Sequence, residues 1–201
     1  MNNLIIISGP SASGKSTLIR RLLADSPEMF FSVSHTTRPP RKNEIPGSDY
    51  YFVAATKFQK MIANNEFAEW AEVHGQRYGT SLKEVRAKSS KGRTLVLDID
   101  SQGARNIKRQ FPEAMAIFVV PPTLAVLKKR LLMRQGKLDH EARQRLGAAL
   151  KELRSFGLYD YLLVNDDLEK ASADLHCLYV AFCLQTARNK SKINKILRGR
   201  K

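Results

Sequence analysis

A chain of 201 residues, 43% of them apolar and 26% charged, is long enough to bury one sizeable core and too short for two independent catalytic domains. No apolar run approaches the ~20 residues of a membrane span, and the opening MNNLIIIS has neither a basic leader region nor a small-residue cleavage site, so a cytoplasmic protein is expected. The net charge of +15 suits an anionic substrate, and Cys177 and Cys183, six apart, have the spacing of neither a metal site nor a redox pair.

Leu4 to Ser8 is a short apolar, β-branched run stopped by Gly9-Pro10, and a helical pattern follows from Lys15 to about Ala24. Phe30 to Ser34 is a further strand candidate. Residues 35–80 then break the alternation with prolines, glycines and most of the tyrosines, and EFAEWAEVHG (66–75) alternates like an antiparallel strand. Ser81, with Glu84 three residues later, opens a helix that Gly92 ends. Leu95 to Ile99 and Ala116 to Val120 are apolar strands, followed by helices that start at Ser101 and at Thr123. Residues 128–156 are long, helical and rich in Arg and Lys, with a second start at Asp139, and Tyr161 to Val164 is a last short strand before more helix. Strand and helix in alternation predict an α/β protein, a parallel sheet covered on both faces. The last fourteen residues hold seven basic side chains and no acid. They also hold no aromatic residue to stack a base, so nucleic-acid binding is not expected of them.

The first strand runs into GPSASGKS, which fits G-x-x-x-x-G-K-[ST] at Gly9, Gly14, Lys15 and Ser16. The physical reason is specific: glycines allow the tight wrap, backbone NH groups from Ser11, Ala12, Ser13 and Thr17 line a concavity at a helix N-terminus, Lys15 reaches the β and γ phosphates, and the Ser16 hydroxyl can hold Mg2+. LVLDID puts Asp98 and Asp100 on one side of a strand end, able to hold metal-bound water, a substrate group or an arginine, or to cap a helix. In TTRPPRK the two prolines enforce an extended backbone that repeats every ~3 residues, which points Arg38 and Arg41 the same way. Two guanidinium forks on one stiff face suit a phosphate or carboxylate, with a solvated basic loop as the plainer alternative.

Along nearly its whole length the chain resembles the guanylate kinases, in GPSASGKST, SVSHTTRPPRKNEIPGSDYYFV, EFAEWAEVHGQRYGT, LDIDSQGA, IFVVPP and YDYLLVNDDLEKA. The resemblance implies the P-loop kinase fold, a parallel five-stranded core (1–33, 81–127 and 157–201) with a GMP-binding insertion (34–80) and a helical lid (128–156). It implies transfer of the ATP γ-phosphate to GMP, and to dGMP, with Mg2+ held by Ser16 and, through water, Asp98. Arg38, Arg41, Tyr50 and Tyr78 would then grip the GMP phosphate with Glu44 supporting the arginines. Ser34, Glu69 and Thr80 would hold guanine, Asp98 and Asp100 would lie between base, metal and arginines, Arg134 and Arg145 would be the lid arginines, and Asn165 would face the donor adenine. The chain departs from the family at Ala12, where glycine is usual, at Arg77, where tyrosine is common, and at LLMRQGKLD, which lacks an RGRG-like lid sequence but keeps Arg134.

Overall fold

The structure, a computed structural model, describes residues 3–73, 75–89, 93–135 and 140–199, with 134, 135 and 140–145 as backbone only. The helix end at Gly92 and the helix start at Asp139 fall outside the described residues. Strand β1 (Leu4–Ser8) is buried at every position because both faces of its sheet are covered. Side chains alternate across it. Ile5 and Ile7 pack with Leu18, Ile19 and Leu22 of helix α1 (Lys15–Asp25) and with Leu175 and Phe182 from further along the chain. Leu4 and Ile6 pack on the other side with Val85, Ala104 and Ile107. Each such side chain contributes roughly 1.5–3 kcal/mol relative to exposure.

Strand β2 (Met29–Phe31) is earlier and shorter than the sequence pattern suggests. The Ser32 NH still bonds the Val96 carbonyl at 3.0 Å, but beyond it the chain leaves the sheet, and the Ser34 carbonyl accepts the Tyr51 NH at 2.9 Å. That contact draws the chain into a second sheet. It contains β3 (His35–Thr36), β4 (Tyr51–Phe52), β5 (Phe67–Val73) and β6 (Gln76–Ser81), in the order β4-β3-β6-β5. The alternating segment is thus one arm of an antiparallel hairpin, with a bulge between Phe67 and Glu69. Helix α2 (Ala55–Ala63), which the sequence reading leaves unassigned, buries Phe58 against Phe67, ring centroids 4.6 Å apart.

Helix α3 (Leu82–Ser89) starts where the Ser81 hydroxyl accepts the Glu84 NH at 3.4 Å. The core sheet resumes with β7 (Thr94–Asp98) and β8 (Met115–Val120), on either side of helix α4 (Ser101–Gln110). Helix α4 begins at Ser101 as expected, and its cap is Asp100, whose carboxylate accepts the Gly103 NH at 2.8 Å. Helices α5 (Leu124–Gln135) and α6 (His140–Leu153) pair around Leu127, Leu131 and Ala149. Strand β9 (Tyr161–Val164), helix α7 (Leu168–Leu184) and helix α8 (Lys190–Arg198) complete the chain. The five-stranded sheet is parallel throughout, in the order β2-β7-β1-β8-β9. Arg188, at the start of the basic tail, belongs to the body: it lies 3.5 Å from the Phe182 ring centroid and donates to Asn3 Oδ1 and the Glu113 carbonyl. Among the described residues no helix is long and apolar enough to cross a membrane.

Candidate active site

The C-terminal ends of β1 and β7 and the N-terminus of α1 meet at one edge of the core sheet, where open parallel sheets bind ligands. Between β1 and α1 the loop wraps back on itself. Gly9 has φ 143° and Gly14 φ 96°, and neither has room for a side chain: a Cβ would stand 2.0 Å from the Val119 carbonyl oxygen at Gly9 and 2.1 Å from Asn165 Nδ2 at Gly14. Ala12 adopts φ 67°, an uncommon conformation for a residue with a Cβ. The Lys15 ammonium donates to the Gly9 carbonyl and lies 4.0 Å from Asp98 Oδ1. Burial pushes the Asp98 carboxyl up, and the Lys15 charge opposes that rise. Ser11, Ser13, Ser16 and Thr17 occupy the same turn, and the buried Ser13 hydroxyl has no hydrogen-bond partner among the described residues. The Asn165 amide is spent on this loop, donating to the Ser13 carbonyl at 2.8 Å from a buried position.

Metal binding there has to be judged from the donors. No cluster of three or more Asp, Glu, His or Cys suited to a metal exists among the described residues. Mg2+ does not need one, because it keeps waters and takes one or two protein oxygens alongside substrate phosphates. The Ser16 hydroxyl, exposed on the first turn of α1, and the Asp98 carboxylate at the end of β7 fit that donor set.

A second basic cluster comes from the loop between β3 and β4. Arg38 is clamped by Glu44, Nη2 to Oε1 at 2.8 Å, and Glu44 Oε2 also accepts the Arg41 backbone NH at 2.8 Å. Arg38 pulls the Glu44 carboxyl below its usual range, and the same pair raises the arginine. The guanidinium carbon of Arg38 lies 5.5 Å from the Tyr50 ring centroid, and Tyr50 meets Tyr78 with centroids 5.8 Å apart. Its Nε–H is buried without an acceptor among the described residues, a charge-assisted donor held ready for an anion. Arg41 is 54% exposed and reaches Glu44 only at 4.0 Å, so its charge is free to turn to a ligand. Burial, then the Asp98 charge, push the Tyr50 phenol up to about 12, which sets this cluster opposite the end of β7.

Beside Asp100 and Thr80 lies a buried acid. Glu69 on β5 is 6% exposed, and burial pushes its carboxyl up to about 7, with the Thr80 hydrogen bond opposing and Asp100 adding to the rise. Thr80 Oγ1 donates to Glu69 Oε1 at 2.5 Å, and Ser34 Oγ stands 3.5 Å from Thr80 Oγ1. Ser34, Glu69 and Thr80, 46 residues apart at the extremes, are therefore one polar set. Gly103 makes the approach possible, since a Cβ there would stand 2.7 Å from Glu69 Oε2. That glycine lies within LDIDSQGA without any sign there of its role, and Glu152, which faces Lys15, Asp98 and Asp100 from α6, lies in none of the motifs. Arg134 and Arg145 lie on α5 and α6, and their side chains are outside the described residues.

A glycine-wrapped loop at the switch point of a 2-3-1-4-5 parallel sheet, with a second basic cluster on the neighbouring insertion, is the arrangement of a P-loop nucleotide-dependent phosphotransferase. The family model described as guanylate kinase matches residues 1–180. Curated guanylate kinases from Symbiobacterium thermophilum and Geobacter sulfurreducens are 43% and 42% identical, over 92% and 96% of this chain and 88% and 95% of theirs. The crystal structure of guanylate kinase from Anaplasma phagocytophilum superposes with a TM-score of 0.76 at 30% identity, covering 93% of this chain and 89% of that one. The chain belongs to the guanylate kinase family, enzymes of the nucleoside monophosphate kinase class.

Proposed function

We propose that this enzyme transfers the γ-phosphate of ATP to GMP, and to dGMP, giving ADP and GDP, in the cytoplasm. The observation that carries the acceptor assignment is the buried Glu69, fixed by Thr80 with the Ser34 hydroxyl beside them. Guanine presents N1–H and an N2 amino group as adjacent donors, and a carboxylate accepts both. The Ser34 hydroxyl, beside Thr80, donates to O6. Adenine turns a lone pair toward Glu69 instead, and a site built on such hydrogen bonds rejects the analogue lacking them by ~10^4 or more.

In this reading Arg38 and Arg41, with the Tyr50 and Tyr78 hydroxyls, hold the acceptor phosphate and neutralise it, while Glu44 keeps the Arg38 guanidinium aimed. The acceptor phosphate has its second pKa near ~6 and is largely dianionic at neutral pH, so no protein general base is needed. Gly9, Ser11, Ala12, Ser13, Gly14 and Thr17 wrap the donor phosphates, and Lys15 leaves the Gly9 carbonyl for the transferring group. Arg134 and Arg145, assigned by the family resemblance, add positive charge there as the lid (128–156) meets the core (1–33, 81–127, 157–201) and the GMP-binding insertion (34–80). Ser16 and, through water, Asp98 would hold Mg2+, which would supply charge neutralisation for the donor phosphates. Asn165 supports the donor loop from the adenine side. Catalysis is then alignment plus preorganised charge.

Coupled ADP release with GMP, dGMP, AMP, UMP and CMP as acceptors tests this directly. Fast release with GMP and dGMP and only slow release with the others is expected. ADP release that ignores the acceptor, or equal rates with AMP, overturns it.

A further inference from the structure

The phosphate loop rests at both of its glycines on the β8–β9 side of the core sheet. A Cβ at Gly9 would stand 2.0 Å from the Val119 carbonyl oxygen of β8, and one at Gly14 would stand 2.1 Å from Nδ2 of Asn165, the residue that follows β9. Ser13 is buried between Ala12 at φ 67° and Gly14 at φ 96°, the most demanding stretch of backbone in the turn. Its NH bonds the Pro10 carbonyl at 3.1 Å within the loop, and its carbonyl accepts the Asn165 amide at 2.8 Å from outside it. A backbone that holds a residue with a Cβ at positive φ persists only where its surroundings over-determine it. Asn165 supplies part of that constraint.

Asn165 is itself fixed by the sheet. Its NH bonds the Val120 carbonyl at 2.7 Å, which carries the pairing of β8 with β9 one residue further, and its own carbonyl accepts Nη2 of Arg130, on α5, at 3.1 Å. The residue is buried, so its amide is not shared with bulk solvent. The core thus delivers a neutral donor to the carbonyl that lies between two left-handed residues. An apolar side chain in the same place leaves that carbonyl without its donor.

We propose that Asn165 is a positioning residue for the phosphate loop, acting through the Ser13 carbonyl, so that its contribution to donor binding is the shape of the loop and is independent of the base. The inference deepens the donor side of the function above and rests on it for the ligand, a nucleoside polyphosphate. When the hold is lost the loop populates its binding shape less, and apparent affinity falls by the same factor for every ligand that needs that shape. A diphosphate with or without a nucleoside attached therefore loses equally. A contact from Asn165 to adenine is felt by the nucleotide alone.

The test is calorimetric titration of ADP and of inorganic pyrophosphate, each with GMP saturating to keep anions off the Arg38 cluster, and of GMP alone, into the wild type, Asn165→Ala and Asn165→Leu. Asn165→Ala removes donor and volume, whereas Asn165→Leu keeps the branched shape and removes only the donor. Both variants lower ADP affinity by ~10-fold, and pyrophosphate affinity falls by the same factor to within about threefold. GMP affinity stays within about twofold, because the residues on the insertion are held by other contacts, Arg38 by Glu44 and Glu69 by Thr80. A loss for ADP without one for pyrophosphate shows an adenine contact and overturns the proposal, as does wild-type ADP affinity in either variant or a GMP affinity that falls in parallel. Should Asn165→Ala fail to fold, Asn165→Leu decides by the same comparison. A wild type that binds ADP, pyrophosphate and GMP without transferring phosphate from ATP to GMP refutes the function above and leaves this inference standing.

Discussion

Replacing Glu69 by Gln separates what this residue costs the fold from what it does for the substrate. In the free protein its carboxyl is raised from 4.5 to about 7, chiefly by burial. The folded state therefore holds the proton more tightly than the unfolded chain does between those two values. Stability declines as pH rises through that window, and the full penalty applies above about 7. The displacement corresponds to roughly 3 kcal/mol, of which ~1–3 kcal/mol should be recovered by a neutral side chain that still accepts from Thr80. Glu69→Gln is thus expected to melt several degrees above wild type at pH 8, at ~2–4 °C per kcal/mol for a chain of this size, and to lose the advantage near pH 5. Its amide cannot accept from both guanine donors, so kcat/KM for GMP falls ~10-fold to a few hundred-fold. AMP loses less, and the ratio of GMP to AMP efficiency falls. Differential scanning calorimetry at both pH values and acceptor kinetics at pH 8 measure the two effects. An unchanged GMP to AMP ratio shows that Glu69 does not read the base; an equal melting gain at both pH values shows that no buried charge was being relieved.

Lys15→Ala should lower kcat by on the order of 10^2-fold or more, since it removes charge that opposes the transferring phosphate; near wild-type turnover in the purified variant is the contrary result. Arg38→Ala deprives Glu44 of its partner and the acceptor phosphate of its best-held guanidinium, so KM for GMP rises or kcat falls while ATP affinity changes much less, as initial rates at varied GMP and ATP will show. Gly103→Ala would gain about 1 kcal/mol in an ordinary helix, but here its Cβ meets Glu69 Oε2 at 2.7 Å, so GMP affinity drops, with no gain in Tm; a more stable enzyme with unaltered GMP binding would show that Glu69 can move aside freely.

The local features of the chain were legible in its order of residues. GPSASGKS is contiguous, so its chemistry shows without a fold, and apolar runs such as Leu4–Ser8 declare a strand buried on both faces because no polar residue interrupts them. TTRPPRK likewise shows through proline stiffness and spacing that two arginines share one stiff face, while leaving open whether an anion or solvent meets them. Other features depended on distance in sequence. The strand expected at Phe30–Ser34 ended at Phe31 because Ser34 pairs with Tyr51, a partner that the local pattern does not show. Ser101 opens α4 as its place after LDID suggests, but which neighbour caps it was open, since either residue type can accept an NH and only backbone direction chooses Asp100. On an alternating strand Glu69 reads as one more solvent-facing acid. Only the approach of Gly103 and Thr80, from other elements, makes it a buried carboxylate titrating near 7. The Asn165 amide on the Ser13 carbonyl, 152 residues away, belongs to the same class. Periodicity and motif report the backbone a segment prefers and the face it buries; which distant group it meets there, and hence its charge state and role, is decided when the layers pack.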